Sequence, residues 1–295
     1  MGHQNPEEKQ YLDLITDILD NGELVVGRNG TNKVIIGSMM KFSLHNNKIP
    51  ILTTKKVAWK TCLKELLWFI SGSTSNKILK SQNVKIWNDN ASREFLDSRN
   101  LQHLEEDDLG PVYGFQWRHF NAPYSDSSAD YTNQGIDQLA KLIENLKNPE
   151  TRYARRHILT AWNPCQVDEM ALPPCHLLCQ FNVTGEDKLS CCLYQRSGDV
   201  GLGVPFNIAS YSFLTYIIAD MCNLKADKFV HFISNAHIYD DHFDGLREQV
   251  KREPYEFPTL KIEKNNYTNI NDYKLMNFSL ENYKHHGVIK LNMRK

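Results

Sequence analysis

Residues 211–222 are apolar on nearly every side. A helix with no wet face must be enclosed by other layers, so this stretch places a helix inside the core. Residues 157–163, 177–183 and 189–194 are short apolar runs that read as strands of a largely buried sheet. Residues 229–233 and 259–263 read as further short strands. A buried helix against such a sheet predicts one compact α+β domain. At 295 residues and 41% hydrophobic, the chain can bury a core of that size.

Other segments have their own periods. Apolar residues at 12, 14, 15, 18 and 19 predict a helix over 8–20. Residues 24–44 predict strands, with a turn at Asn29-Gly30. Trp59, Leu63, Leu66, Leu67 and Ile70 share one helical face, ended by Gly72. Residues 135–147 return to the helical period, and the polar stretches 97–109 and 121–133 predict surface loops. No internal repeat or Gly/Ser linker interrupts the chain.

Net charge is −1, so no global field draws the chain to nucleic acid or membrane, and any bound anion needs local charge. No apolar run approaches the length of a spanning helix. The N-terminus has no signal-peptide character, and Pro6 disfavours myristoylation. Seven cysteines in no disulfide-like spacing fit a reducing compartment, hence a cytoplasmic location with nuclear access left open. Cys175 and Cys179 lack the partners of a tetrahedral metal site, so no metal is expected.

Cys175 follows Leu172-Pro173-Pro174 and precedes His176. It is a candidate nucleophile if a cation supports its thiolate, and otherwise an inert buried thiol. Arg28, Arg196 and the tandem Arg155-Arg156 are candidate anion binders, against the alternative of solvated charge. Adjacent side chains on an extended segment point to opposite faces, so the tandem pair needs a bend to serve one anion. Ser197 adds a hydroxyl beside Arg196. Glu65 flanks an apolar helical face, where desolvation would raise its pKa towards a proton shuttle, or it is an exposed flank residue. Asn207 offers a donor and an acceptor to a pyrimidine edge, or caps the helix from Ile208. His237 and Tyr239 share one face of an extended segment, to hold a sugar hydroxyl or to pack. Residues 198–203 are glycine-rich but lack the spacing of a phosphate loop.

Read in order, residues 65–74, 108–118, 161–164, 172–176, 194–199, 201–211 and 236–239 resemble the thymidylate synthase family, from about Tyr11 to Lys290. The loops at 97–109 and 121–133 are similar to its eukaryotic and large-DNA-virus branch. The resemblance implies one family domain over 1–295, poorly matched at 1–10 and 284–295, with no fused dihydrofolate reductase. It also implies a three-layer α+β fold around a large mixed sheet, with the sheets packed face to face across a homodimer.

The implied reaction is reductive methylation of dUMP to dTMP, with 5,10-methylenetetrahydrofolate giving carbon and hydride and leaving as dihydrofolate. The resemblance makes Cys175 the nucleophile at carbon 6 of uracil, with its pKa lowered by Arg196. Glu65 and His176 share a proton network, and Tyr113 serves removal of the carbon 5 proton. Arg28, Arg196 and Ser197 hold phosphate, and Arg155 and Arg156 reach the partner subunit's site. Gln195 supports the nucleotide, Asn207 reads uracil, and His237 with Tyr239 binds deoxyribose. Asp199, Trp87, Ile86, Leu202, Gly203 and Phe206 match the folate site, with Asp199 also on the substrate side, and Lys55 lies near the glutamate tail.

The chain departs from the family in four places, one of them Cys192 where glutamine is usual. Residues 28–37 are looser than the usual segment, and Ser234-Asn235 stands where Gly-Asp is usual. The last residues, from Tyr283 to Lys295, lack the usual prolines and end in two cations, which predicts a flexible tail that closes poorly over folate. Three other readings compete. A hydroxymethylase on cytosine is opposed by Asn207 and Trp87, and a cysteine hydrolase by the adjacency of Cys175 and His176. A binding homologue without turnover rests on the altered tail and Ser234-Asn235.

Overall fold

A computed structural model describes residues 5–27 and 30–294. Arg28 and Asn29 lie outside the described residues, and with them the expected phosphate contact of Arg28 and half of the expected Asn29-Gly30 turn. Helix α1 (Pro6–Asn21) is capped by the Asn5 side chain, which accepts from the Glu7 and Glu8 amides. Strands β1 (Glu23–Gly27) and β2 (Gly30–Ser43) form a hairpin. Helices α2 (Trp59–Ile70), α3 (Asn76–Ser81), α4 (Arg93–Ser98), α5 (Tyr113–His119) and α6 (Gln138–Lys147) follow. Next come β3 (His157–Thr160), β4 (His176–Thr184), β5 (Lys188–Asp199), α7 (Gly203–Met221) and β6 (Lys225–Tyr239). Helix α8 (Phe243–Gln249) and the small hairpin of β7 (Thr259–Ile262) and β8 (Phe278–Glu281) complete the described fold.

The main sheet has the order β1-β2-β6-β5-β4-β3. Only β5 and β6 run parallel, joined by α7 as the crossover, so the sheet is mixed and the class is α+β. Helix α7 is buried along almost its whole length, as its apolar surround requires, and begins eight residues earlier than the apolar run. α7 packs on β5 and β6, and α1 on β2. Inward residues such as Phe181, Cys191, Leu193, Phe229 and Ile233 alternate with outward ones. On the outward face Met39, Phe232, Tyr194 and Leu178 are successive cross-strand neighbours, each 36–48% exposed.

The sheet bends where it meets the site. The β2–β6 ladder skips Gly37 and Ser234, the β5–β6 ladder skips Arg196, and the β4–β5 register shifts between His176 and Leu178. Gly37 takes a φ of +79°, open to glycine. Arg196 turns its amide to the Cys175 carbonyl at 2.9 Å, so the bend ties β5 to the approach of β4.

Two expectations need correction. Residues 97–109 are not simply a surface loop: Leu101, Leu104 and Leu109 are buried, and Asp108 is 2% exposed. Three leucines spaced by turns pin an otherwise acidic segment to the core. Strands β5 and β6 also extend past their apolar runs, because Gln195 and Ser197 pair across the sheet while their side chains, with that of the unpaired Arg196 between them, serve a site.

Candidate active site

Cys175 sits at the mouth of β4, half-buried. Its amide donates to the Tyr113 hydroxyl at 2.8 Å. Pro173 and Pro174 offer only carbonyls, and both accept from Arg196: Nε reaches Pro174 O at 2.8 Å and Nη2 reaches Pro173 O at 3.0 Å. This holds the guanidinium with Nη2 3.8 Å from the Cys175 sulfur. Arg196 lowers the thiol pKa, as expected, but does not set the direction of the net shift. Burial pushes the thiol above its ordinary value, and the opposing pull of Arg196 is the smaller effect.

Glu65 is 9% exposed on α2, and Trp87 Nε1 donates to its Oε1 at 2.7 Å. Burial raises its pKa to about 7, against the lowering effect of the Trp87 bond. Tyr113 lies between the nucleophile and this carboxyl, with its ring 4.1 Å from the His176 ring and stacked on it. His176 differs from expectation. Its Nδ1 bonds the Tyr211 hydroxyl at 2.7 Å, and burial lowers its pKa to about 3. A neutral imidazole stacked on Tyr113 orients that ring and takes no proton near neutral pH.

The amide that would read a base is also placed by a buried relay. His231 Nε2 lies 2.7 Å from Gln195 Oε1, and a carbonyl only accepts, so the histidine proton is on Nε2. Gln195 Nε2 then donates to Asn207 Oδ1 at 3.1 Å and to Ser197 O at 2.8 Å. Asn207 lies inside α7, whose cap position is Leu202, so the helix-cap alternative fails. His231 was not legible as functional, since it sits in an apolar strand run; its sign was an inward polar residue among Phe229 and Ile233.

Val25, Gly27, Asn32, Val34, Arg196, Ser197, Asn235, His237 and Tyr239 line a cavity of about 380 Å³. His237 and Tyr239 share a strand face, as expected from their spacing. His237 Nδ1 bonds Asn235 Oδ1 at 3.0 Å, which puts the proton on Nδ1 and leaves Nε2 as an acceptor. Burial holds the His237 pKa below its ordinary value. Arg155 and Arg156 are exposed just before β3, the sheet edge opposite the β1–β2 hairpin, and do not line this cavity. A larger cavity of about 900 Å³ lies between the 45–47 turn and the β7–β8 hairpin, lined by mixed charges and none of the candidate residues. The smaller cavity is the better candidate because it gathers Arg196, Ser197, His237 and Tyr239.

A second cluster adjoins the first. Asp199 Oδ1 accepts from the Gly201 and Leu202 amides at 2.8 and 3.2 Å, shaping the turn into α7. Ile86, Leu202, Gly203 and Phe206 are half-buried, and Trp87 is 6% exposed. Lys55, expected near a glutamate tail, reaches the turn of this same cluster. It is 6% exposed and donates to the Gly201 carbonyl, with its pKa lowered to about 8 by burial. It braces the turn from below. Among the described residues no group of three or more metal-binding side chains occurs.

The thymidylate synthase family model matches residues 9–295. The chain belongs to the thymidylate synthase family. The thymidylate synthase of Saccharomyces cerevisiae is 48% identical over 304 residues, 99% of each chain. That of equine herpesvirus 2 is 51% identical over 288 residues, 97% of this chain and 98% of its own. The bifunctional dihydrofolate reductase-thymidylate synthase of Plasmodium berghei is 50% identical over 292 residues, 99% of this chain. This chain spans about half the length of that relative and of the similar Plasmodium chabaudi protein. Within the thymidylate synthase frame, Cys175, Arg196, Tyr113, Ser197, Gln195, Asn207, His237 and Tyr239 converge on one region, with Glu65 and Trp87 adjoining. Among the described residues, no helix is long and apolar enough to cross a membrane.

Proposed function

We propose that the protein converts dUMP to dTMP, taking carbon and hydride from 5,10-methylenetetrahydrofolate and releasing dihydrofolate. The observation that carries this reading is the Arg196 guanidinium held by two proline carbonyls beside the Cys175 sulfur, at one end of the 380 Å³ cavity. A phosphate held by Arg196 and Ser197 puts the sugar beside His237 and Tyr239, where His237 Nε2 is an acceptor. The amide of Asn207 then meets the base edge, its orientation set by His231 and Gln195.

In this reading the Cys175 sulfur bonds carbon 6 of uracil, and the carbon 5–carbon 6 π pair moves toward the carbon 4 carbonyl. Carbon 5 becomes nucleophilic. Glu65, poised near pH 7, moves protons at the carbonyl oxygen, and the Tyr113 hydroxyl lies at the thiol where the carbon 5 proton must leave. Elimination of the thiolate restores the ring double bond. The co-substrate supplies a one-carbon unit and then a hydride. Trp87, Ile86, Leu202 and Phe206 offer it an apolar wall, and Asp199 a carboxylate at the turn.

The active form in this reading is a homodimer. The exposed row of Met39, Phe232, Tyr194 and Leu178 suits burial against a second sheet face. Arg155 and Arg156, exposed at the opposite sheet edge from their own cavity, would complete the partner's phosphate site. All seven cysteines are free thiols, in keeping with a cytoplasmic location.

The test is a paired assay on purified protein with dUMP tritiated at carbon 5. Equal rates of tritium release and dihydrofolate formation are expected. Tritium release without dihydrofolate would replace the synthase with a hydroxymethylase, and dUMP binding with neither signal would leave a binding homologue.

A further inference from the structure

The tail that was expected to be loose is docked along its length. The His286 amide donates to Thr53 O at 2.7 Å, and Arg252 Nη1 to Gly287 O at 2.9 Å. The His286 ring stacks on Tyr255 at 4.7 Å. Further on, Leu291 and Ile289 lie over Gly245, where a Cβ would come within 3.0 and 3.1 Å of them, and Leu291 lies over Gly201 at 3.2 Å. These two glycines make room for the strap, and Gly201 belongs to the Asp199 turn.

The last described residues close the path with charge. His242, fully buried, donates from Nε2 to Asn292 O at 2.7 Å, while its Nδ1 faces Asp199 Oδ1 at 3.8 Å. Asn292 Nδ2 donates to Asp241 at 3.1 Å. Arg294 donates from Nη2 to Asp240 at 2.7 Å and from Nε to Asp241 at 3.1 Å, with its guanidinium 5.7 Å from the centre of the Tyr239 ring. A Cβ on Gly30 would lie 3.2 Å from Arg294 Nη1, so the guanidinium sits between the β1–β2 hairpin and the end of β6.

We propose that Arg294 is a positioning residue: its ion pairs with Asp240 and Asp241 clamp the C-terminal strap over the Asp199 turn and the Tyr239 end of the site. The proposal rests on the synthase reading, in which closure there keeps water from the folate side before hydride transfer. A single exposed ion pair is worth little, but here one guanidinium spans two carboxylates, with a partly buried hydrogen bond beside them. The clamp is electrostatic, so it weakens as salt shortens the Debye length from about 10 Å at 0.1 M to about 3 Å at 1 M.

The test compares full-length wild type, Arg294→Ala and Arg294→Lys at low and high NaCl. Hydrogen exchange of residues 286–293 without ligand is the first readout; tritium release and dihydrofolate formation are the second. Arg294→Ala is expected to speed tail exchange and lower the dihydrofolate-to-tritium ratio by about fivefold each, the scale of a small ion-pair network, with dUMP affinity unchanged. Arg294→Lys keeps charge without the fork and falls between. Salt is expected to move wild type toward Arg294→Ala and to leave that variant where it is. Unchanged exchange in Arg294→Ala overturns the clamp, and faster exchange with an unchanged product ratio overturns the positioning role. Wild type that makes neither product overturns the synthase reading and the positioning role with it, and exchange then reports the clamp alone.

Discussion

The strands that hold Gln195, Arg196 and His237 and the turns that carry Asp199 and Asp240–His242 meet at one site but are built by different means. On the strand side the reading groups are fixed by hydrogen bonds inside the core. His231 sets Gln195, Gln195 sets Asn207, and two proline carbonyls set Arg196. On the turn side Asp199 shapes a loop, Lys55 props it, and partly exposed ion pairs strap the tail across it. Buried polar networks are stiff because every lost partner costs desolvation, whereas partly exposed pairs exchange readily with water. In the synthase reading, the first side recognises the nucleotide in a preset pocket and the second is the side that can yield.

The largest break is at the nucleophile. Cys175→Ala should lower tritium release by at least about a thousandfold while dUMP still binds, since the step it removes has no substitute. Retained release would sink the covalent reading. Next is Glu65→Gln, expected to cost about a hundredfold in turnover and to erase the pH dependence centred near 7. The same residue has a stability signature. Folded Glu65 keeps its proton up to about pH 7, whereas the unfolded chain releases it near 4.5, so unfolding releases a proton between those values. Its contribution is full below pH 4.5 and declines as pH rises through 7, by on the order of 3 kcal/mol. Melting curves of wild type against Glu65→Gln from pH 5 to 8 should diverge, the variant gaining; parallel curves would mean a carboxyl titrating normally.

Smaller effects separate the two sides. Asn207→Ala removes one of the two acceptors of Gln195 Nε2 together with the amide that would read the base, and should cost about ten- to a hundredfold in kcat/KM for dUMP. Its response should not vary with salt, because the relay is uncharged. Asp240→Asn removes one of the two carboxylates of the clamp and should cost only about twofold, vanishing at high salt. If the Asn207 variant proved salt-sensitive, or the Asp240 variant salt-blind, the division between a fixed and a yielding side would not hold.

Several of these residues were readable from spacing. His237 and Tyr239 share a face because side chains alternate along a strand, and Glu65 was placed beside an apolar stripe by helical period. Asn207 read equally well as a cap, and the helix starting at Gly203 removed that option. Nothing local to His231 or His242 named their roles, because those depend on partners 36 and 50 residues away. The expected flexibility of the tail failed for a similar reason. Missing prolines describe the free chain, but Thr53, Gly201, Asp240 and Asp241 supply the restraint from elsewhere in the fold.

The sequence by itself determined the α+β class, the enclosed helix, the strand runs and the family, because periodicity, apolar continuity and ordered motifs are local properties of a chain. Only the tertiary structure decided protonation and reach: that Cys175 is raised by burial despite Arg196, that His176 is neutral against Tyr211, that Lys55 points inward, and that Arg294 finds two carboxylates. Those outcomes depend on solvent exclusion and on contacts between distant segments, which exist only once the chain has packed.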